Sequence, residues 1–124
     1  MTPSTAHILI IDDDAAFADF LSSIFTSVGY AVRTETQGHE AVAYAAEHSP
    51  DLVMLDAELS GIGADQVCLE LRNRCGVIVM PVVLLTESNQ PVDRRGSCLY
   101  GADARLGRWC GPVDLLKAVT QLLR

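Results

Sequence analysis

The chain reads as an α/β protein, doubly wound around an open five-stranded parallel sheet with helices on both faces. Three observations predict this class. Short apolar runs alternate with longer amphipathic segments, the pattern of repeated βα units. The runs Ile8-Leu9-Ile10-Ile11 and Val82-Val83-Leu84-Leu85 are apolar throughout, as strands covered on both faces must be. Asp12, Asp13, Asp56, Thr86 and Arg108 all come just after the carboxyl ends of predicted strands, where open parallel sheets carry their functional groups.

The first strand is His7 to Ile11 and ends at Asp12-Asp13-Asp14, of which Asp14 is placed to cap the first helix. In that helix Phe17, Leu21, Ile24 and Val28 recur at helical spacing, and Gly29 supplies a stop. Tyr30 to Arg33 forms a short second strand. Gly38 to His48 forms the second helix, with Val42, Ala45 and Ala46 on its inner face and Pro50 closing it. The third strand, Asp51 to Leu55, ends at Asp56. A loop with Ser60, Gly61 and Gly63 leads to a third helix through Val67 and Leu71, stopping near Gly76. Pro81 to Leu85 is the fourth strand and ends at Thr86. A fourth helix spans about Pro91 to Tyr100, interrupted by Gly96. Ala104 to Leu106 is the fifth strand. The last helix starts at Pro112, a good first-turn residue, and runs through Leu115, Leu116, Val119, Leu122 and Leu123.

With 124 residues, the sequence is expected to form one domain, residues 1–124, large enough to bury a core without disulfides or a structural metal. A net charge of −7 argues against nucleic acid as the direct partner, because a phosphate-backbone binder needs a basic face. The longest early apolar run is far too short for a signal peptide core or a membrane span. Cys68, Cys75, Cys98 and Cys110 show neither CxxC spacing nor scaffold density, so reduced, mostly structural thiols in a cytoplasmic protein are expected.

The acids carry the chemistry. If Asp12, Asp13 and Asp56 converge, three carboxylates share one crevice, and two unit charges about 4 Å apart repel by roughly 4 kcal/mol at an effective dielectric near 20. A bound cation or a retained proton must offset that repulsion. Mg²⁺ suits such a site, since it is commonly held by one or two carboxylates, waters and a phosphoryl oxygen. Beside the metal, Asp56 is a plausible nucleophile toward a phosphoryl group, in a transfer governed by positioning and charge neutralisation.

The order Ile10-Ile11-Asp12-Asp13-Asp14, Asp51 to Asp56, Pro81 to Thr86 and Gly101 to Trp109 resembles the response-regulator receiver family, over essentially all of residues 7–123. The resemblance implies a flavodoxin-like (βα)5 fold with strand order 2-1-3-4-5. It implies that Asp13 contacts Mg²⁺ directly and Asp12 largely through water, with Asp56 and the backbone carbonyl of Glu58 as further ligands. Asp56 matches the family's phosphoacceptor, and Thr86 matches the switch hydroxyl that moves to a phosphoryl oxygen after transfer. The implied donor is a phosphohistidine on a histidine kinase or phosphotransfer protein. The implied output is a rearranged surface around the fifth strand and the helices on either side of it, docking an output domain or a second copy. Such a protein catalyses its own phosphorylation without being a conventional enzyme.

The departures from the family cluster at one pocket. Arg108 and Trp109 stand where the family carries Lys-Pro, and the only lysine, Lys117, lies in the last helix. Guanidinium is a planar fork rather than a compact point charge, so Arg108 either binds the phosphoryl group or locks Asp56 in a standing ion pair. Arg105 occupies the aromatic switch position and is expected to stay in solvent. Glu87 comes directly after Thr86 where the family prefers Ala or Gly, and is expected to crowd the pocket entrance. Ser60 replaces a proline of the loop.

Arg94, Arg95, Arg105, Arg108 and Lys117 fall on or near the face around the fifth strand, as a docking surface or as a solvated basic rim. Trp109 there is either an interface anchor or a filler for the missing proline. Three functions compete: a Mg²⁺-dependent phosphoryl-accepting switch, a phosphorylation-independent interaction module with Arg108 paired to Asp56, and a flavin carrier of related fold. The last needs a Ser, Thr and Gly-rich phosphate loop after the first strand, where Asp12-Asp13-Asp14 would repel a phosphate.

Overall fold

The structure, a computed structural model, describes residues 5–75, 80–87 and 103–123, without the side chain of residue 75. Among these residues one parallel sheet is built from β1 (His7–Ile11), β2 (Ala31–Glu35), β3 (Leu52–Asp56), β4 (Val82–Thr86) and β5 (Ala104–Gly107), in the order β2-β1-β3-β4-β5. The helices of the described residues are α1 (Ala15–Ser27), α2 (Gly38–His48), α3 (Ala64–Cys75) and the C-terminal helix α4 (Pro112–Leu122). The doubly wound fold and its strand order agree with the sequence reading. The helix expected over 91–100, with Arg94, Arg95 and Cys98, lies outside the described residues, as does Gly76.

Strand alternation divides the core. Leu9, Ile11, Val53, Leu55, Val82 and Leu84 face α2 and α3, while Ile8, Ile10, Leu52, Met54, Val83 and Leu85 face α1 and α4. Each central strand therefore has no polar face, which is why β1 and β4 read as continuous apolar runs. The edge strand β2 is exposed or half-buried throughout. No helix among the described residues is long and apolar enough to cross a membrane.

Several inner positions differ from expectation by a fraction of a turn. Val28 is not an inner residue: α1 ends at Ser27, Val28 is its cap at 53% exposure, and Phe25 takes the buried place. The stop expected at Gly29 is real. Gly29 adopts φ +101°, its N–H donates to Thr26 and that of Tyr30 to Phe25, the bond pattern of a Schellman ending. In α2 the buried stripe is Gly38, Ala41, Val42 and Ala45, so Ala46 points outward and Ala41 inward. Tyr30 precedes β2 rather than starting it, and β2 runs on to Glu35 because it pairs with β1 through Ile11.

Cys68 is fully buried against α2 and the sheet, and burial pushes its thiol up to about 11, as an inert packing residue requires. Arg72, near the end of α3, donates to the Met80 carbonyl at 2.9 Å and pairs with Asp103 at 3.3 Å. Asp103 in turn accepts from the Val82 N–H, so this pair orders the entry of β4 and β5.

Gly38 begins α2 against α3, where an added Cβ would meet Ile62 Cγ1 at 2.6 Å and Val67 Cγ2 at 2.9 Å. Overpacking of this kind costs about 1–3 kcal/mol, against a helix-propensity gain below about 1 kcal/mol. Gly38→Ala is therefore expected to destabilise the domain by about 1–2 kcal/mol, read as a lower urea midpoint at unchanged m-value.

Candidate functional site: an acidic pocket at the carboxyl ends of the strands

β1 and β3 pair in parallel with Ile11 opposite Leu55, so the next residues, Asp12 and Asp56, emerge side by side. Asp12 is fully buried and Asp56 is 4% exposed, whereas Asp13 faces solvent. One carboxylate oxygen from each of the three lies within 4.8 Å of the others. Backbone N–H groups orient them: Asp14 donates to Asp12 Oδ1 at 2.9 Å, Glu58 to Asp56 Oδ1 at 2.9 Å, and Ser60 to Asp13 Oδ2 at 3.1 Å. Ser60 thus does what a proline cannot, since proline has no N–H. Glu58 lies in the loop after β3 and its N–H holds Asp56.

Each carboxyl group responds to its surroundings. Burial pushes Asp12 up to about 6, opposed by the Asp14 N–H and reinforced by Asp56. Burial likewise raises Asp56, against the Glu58 N–H and the Arg108 guanidinium. Hydrogen bonds from Ser60 hold the exposed Asp13 below the usual carboxylate range. Asp12 Oδ2 is buried without a hydrogen-bond partner. A hard cation would fit these conditions: it would give a buried, unpartnered carboxylate a partner and relieve carboxyl groups that desolvation drives toward protonation.

Thr86 closes β4 and is 8% exposed, with its hydroxyl donating to the Leu106 carbonyl at 3.3 Å. Thr86 is opposite Gly107 in the register, and the Arg108 N–H donates to the Thr86 carbonyl at 2.7 Å. That register carries Arg108 into the pocket. Its side chain is 8% exposed and its guanidinium lies over the Phe17 ring at 4.1 Å. Nη2 is 3.7 Å from Asp12 Oδ2 and 3.6 Å from Asp14 Oδ2; Nη1 is 3.9 Å from Asp56 Oδ2. All three are ion-pair distances beyond hydrogen-bond reach. The hydrogen bond goes to Glu87 Oε1, at 3.2 Å.

The expected lock of Arg108 onto Asp56 is therefore only a loose electrostatic pairing. The expectation that Glu87 crowds the entrance is also altered: its carboxylate bridges the Arg108 guanidinium and the Trp109 indole N–H, the latter at 3.4 Å. Trp109 stays 62% exposed and packs edge-on against Phe17, with ring centroids 5.4 Å apart. Arg105 is half-buried on β5 rather than out in solvent. Ala104 and Leu106 face the α1 and α4 layer, which leaves Arg105 on the opposite face of the sheet.

Sequence reasoning missed the role of Phe17 as the bed of the guanidinium and the Glu87–Arg108 bond. A signal for the second was available: with β4 and β5 adjacent and parallel, the residues just past each strand end, 87 and 108, must adjoin. Asp14 caps α1 as expected, accepting from the Phe17 N–H at 3.1 Å, and adds a further negative charge beside Arg108.

The linkage for Asp12 runs against stability near neutral pH. Its carboxyl is raised to about 6 in the fold from 3.8, so ionisation is a penalty that is full above about pH 6, shrinks toward pH 3.8, and vanishes below. Asp12→Asn is expected to stabilise the metal-free domain at pH 7.5 by on the order of 2 kcal/mol, with the gain fading between about pH 6 and 4. Urea unfolding in the presence of a chelator at three pH values measures it.

Comparison with known proteins agrees with the geometry. The chain is 36% identical over 118 residues to the DNA-binding dual master transcriptional regulator RpaA of Synechocystis, covering 95% of this chain and 49% of the relative. It is 34% identical over 118 residues to the DNA-binding response regulator MtrA of Mycobacterium tuberculosis, covering 95% of this chain and 50% of that protein. The chain thus spans about half the length of the curated relatives it matches. Among solved structures, a putative response regulator from Chloroflexus aurantiacus superposes with a TM-score of 0.87 at 27% identity, covering 97% of this chain and 98% of the other. Vibrio cholerae CheY4, at 24% identity and TM-score 0.87 over 97% of this chain and all of its own, shares the fold. The family model described as the response regulator receiver domain matches residues 8–120, and with the strand order and acidic pocket in agreement, the chain belongs to that family of two-component signalling domains.

Proposed function

We propose that the domain is a phosphoryl-accepting switch in which Asp56 takes the group from a phosphohistidine of a histidine kinase or phosphotransfer protein. The convergence of Asp12, Asp13 and Asp56 at the ends of two adjacent strands carries this reading. An Asp56 carboxylate oxygen forms a bond to phosphorus as the phosphorus–nitrogen bond of the donor breaks, and the freed imidazole keeps its electron pair and takes up a proton. Asp12, Asp13, Asp56 and the Glu58 carbonyl would hold Mg²⁺, which when bound supplies the charge that lets an anionic donor approach an anionic acceptor. The N–H of Glu58 orients the Asp56 carboxylate through Oδ1. The Thr86 hydroxyl, now on the Leu106 carbonyl, is the donor that turns to the new phosphoryl oxygens, and Arg108 faces them from the other side. The domain acts on itself and is not a conventional enzyme.

The same reading takes the protein to be cytoplasmic and its partners to be a kinase or phosphotransfer protein and an output. The curated relatives RpaA and MtrA are about twice as long and are named as DNA-binding regulators. An output domain joined to the chain, or a homodimer through the β5 face and its flanking helices, would receive the signal. This acidic domain itself is not expected to touch nucleic acid.

One observation favours a phosphorylation-independent docking module: a guanidinium already stands among four acidic side chains, those of Asp12, Asp14, Asp56 and Glu87. Amide NMR of the labelled domain separates the two. The switch reading expects shifts around Asp12, Asp13 and Asp56 with Mg²⁺, and further shifts reaching Thr86 with beryllofluoride. Asp56→Asn is expected to abolish the second response. Silence to both additions in a folded sample would leave the docking module. Asp13→Asn is expected to weaken Mg²⁺ binding by at least about tenfold, equivalent to about 1.4 kcal/mol, in a calorimetric titration.

A further inference from the structure

Arg108 is anchored in an unexpected direction. Four carboxylates lie within 4.0 Å of its guanidinium, yet its side-chain hydrogen bond goes to Glu87, which is 53% exposed at the mouth of the pocket, and not to the buried Asp12 or Asp56. Coulomb attraction alone would favour the opposite choice, because it strengthens as water is excluded. In this arrangement two buried polar atoms have no hydrogen-bond partner: Arg108 Nε and Asp12 Oδ2. A shift of about 1 Å would bring Nη2, at 3.7 Å, into hydrogen-bond range of Asp12 Oδ2.

Three groups oppose that shift. Glu87 draws Nη1 outward, and the Trp109 indole N–H holds the other oxygen of the same carboxylate. The Phe17 ring, packed edge-on against Trp109, supports the flat face of the guanidinium at 4.1 Å. Cation–π support of this kind favours one plane of approach.

We propose that Glu87, steadied by Trp109, is a parking site that holds the Arg108 guanidinium short of Asp12 and Asp56 and so leaves those carboxylates open to a divalent cation. Glu87 is a positioning residue: it sets the cation affinity of the pocket through Arg108 and touches neither the ion nor the acceptor. Without it, Arg108 moves inward and competes with the ion as a tethered cation. This inference rests on the metal-dependent switch proposed above and concerns a pair of residues that replaces the family's small residue and lysine.

The test is a double-mutant cycle with Mg²⁺ as the probe, read by calorimetry, together with side-chain NMR of the metal-free protein. Glu87→Gln changes a half-exposed group to its isostere and leaves the core intact. It is expected to weaken Mg²⁺ binding about fivefold, and Arg108→Gln to tighten it about tenfold. The decisive value is the effect of Glu87→Gln when Arg108 is already Gln, which is expected to fall below about twofold. An effect that persists at full size there shows a plain charge at the rim and overturns the proposal, as does a Glu87→Gln variant that binds Mg²⁺ like the parent. Arg108→Met, which removes the charge and keeps an apolar stem over Phe17, replaces Arg108→Gln in the cycle if the latter does not fold.

In the metal-free protein the Arg108 Nε–H resonance is expected to move on Glu87→Gln, with a change in Trp109 fluorescence. An unmoved resonance overturns the parking contact and leaves the switch reading standing. A moved resonance with no Mg²⁺ binding in the parent or in Arg108→Gln overturns the metal-dependent switch, and the affinity role of Glu87 with it. Binding in Arg108→Gln but not in the parent overturns the parking role alone, since Arg108 would then close the pocket despite Glu87.

Discussion

The balance of charge in one crevice is what the remaining features of this site answer to. Asp12 and Asp56 are almost wholly removed from water and lie beside a third carboxylate, Asp13. Carboxylates so placed repel one another and are undersolvated, and the fold answers with two kinds of positive potential. Backbone N–H groups of Asp14, Glu58 and Ser60 each donate to one of them. The guanidinium of Arg108 stands within 4.0 Å of two. The remaining deficit shows in the unpartnered Asp12 Oδ2 and the raised carboxyls of Asp12 and Asp56, and it suits a divalent cation.

The parallel sheet makes this concentration of charge possible. Adjacent parallel strands end on the same side, so β1, β3, β4 and β5 deliver Asp12, Asp56, Thr86 and Arg108 to one rim without long connections. The apolar faces of those strands, shared between two helical layers, supply the rigidity that keeps the carboxylates together against their repulsion. The hydrophobic core thus offsets the electrostatic strain of the site, the usual relation between a stable scaffold and a functional centre.

The contacts that join the pocket to the surface gather around Arg108. Thr86 donates to the Leu106 carbonyl, and the Arg108 N–H donates to the Thr86 carbonyl, so the ends of β4 and β5 are tied to each other. Where the family relies on an aromatic side chain on the last strand, this chain has the half-buried Arg105. The aromatic groups lie instead on the other side of the pocket, where Phe17 and Trp109 enclose the guanidinium at 4.1 and 5.3 Å. Arg108 faces Asp56 at 3.9 Å on one side and Glu87 at 3.2 Å on the other, and Glu87 in turn accepts from the exposed Trp109 indole.

The sequence by itself determined the class of fold, the residues of the acidic pocket and the cap at Asp14, because these depend on local periodicity and on the residues just past each strand end. Runs such as Ile8 to Ile11 have only one comfortable environment, between two layers, and a parallel sheet then dictates where Asp12, Asp56 and Thr86 must lie. Boundaries shifted where pairing or a turn overrode periodicity, as at Tyr30, Val28 and Ala46. The tertiary structure alone decided the allegiance of Arg108. Its candidate partners, Asp12, Asp14, Asp56 and Glu87, come from three separate segments, and the choice among them turns on differences of a few tenths of an ångström. Sequence spacing carries no information at that scale, because ion pairing depends on distance and desolvation in the packed molecule.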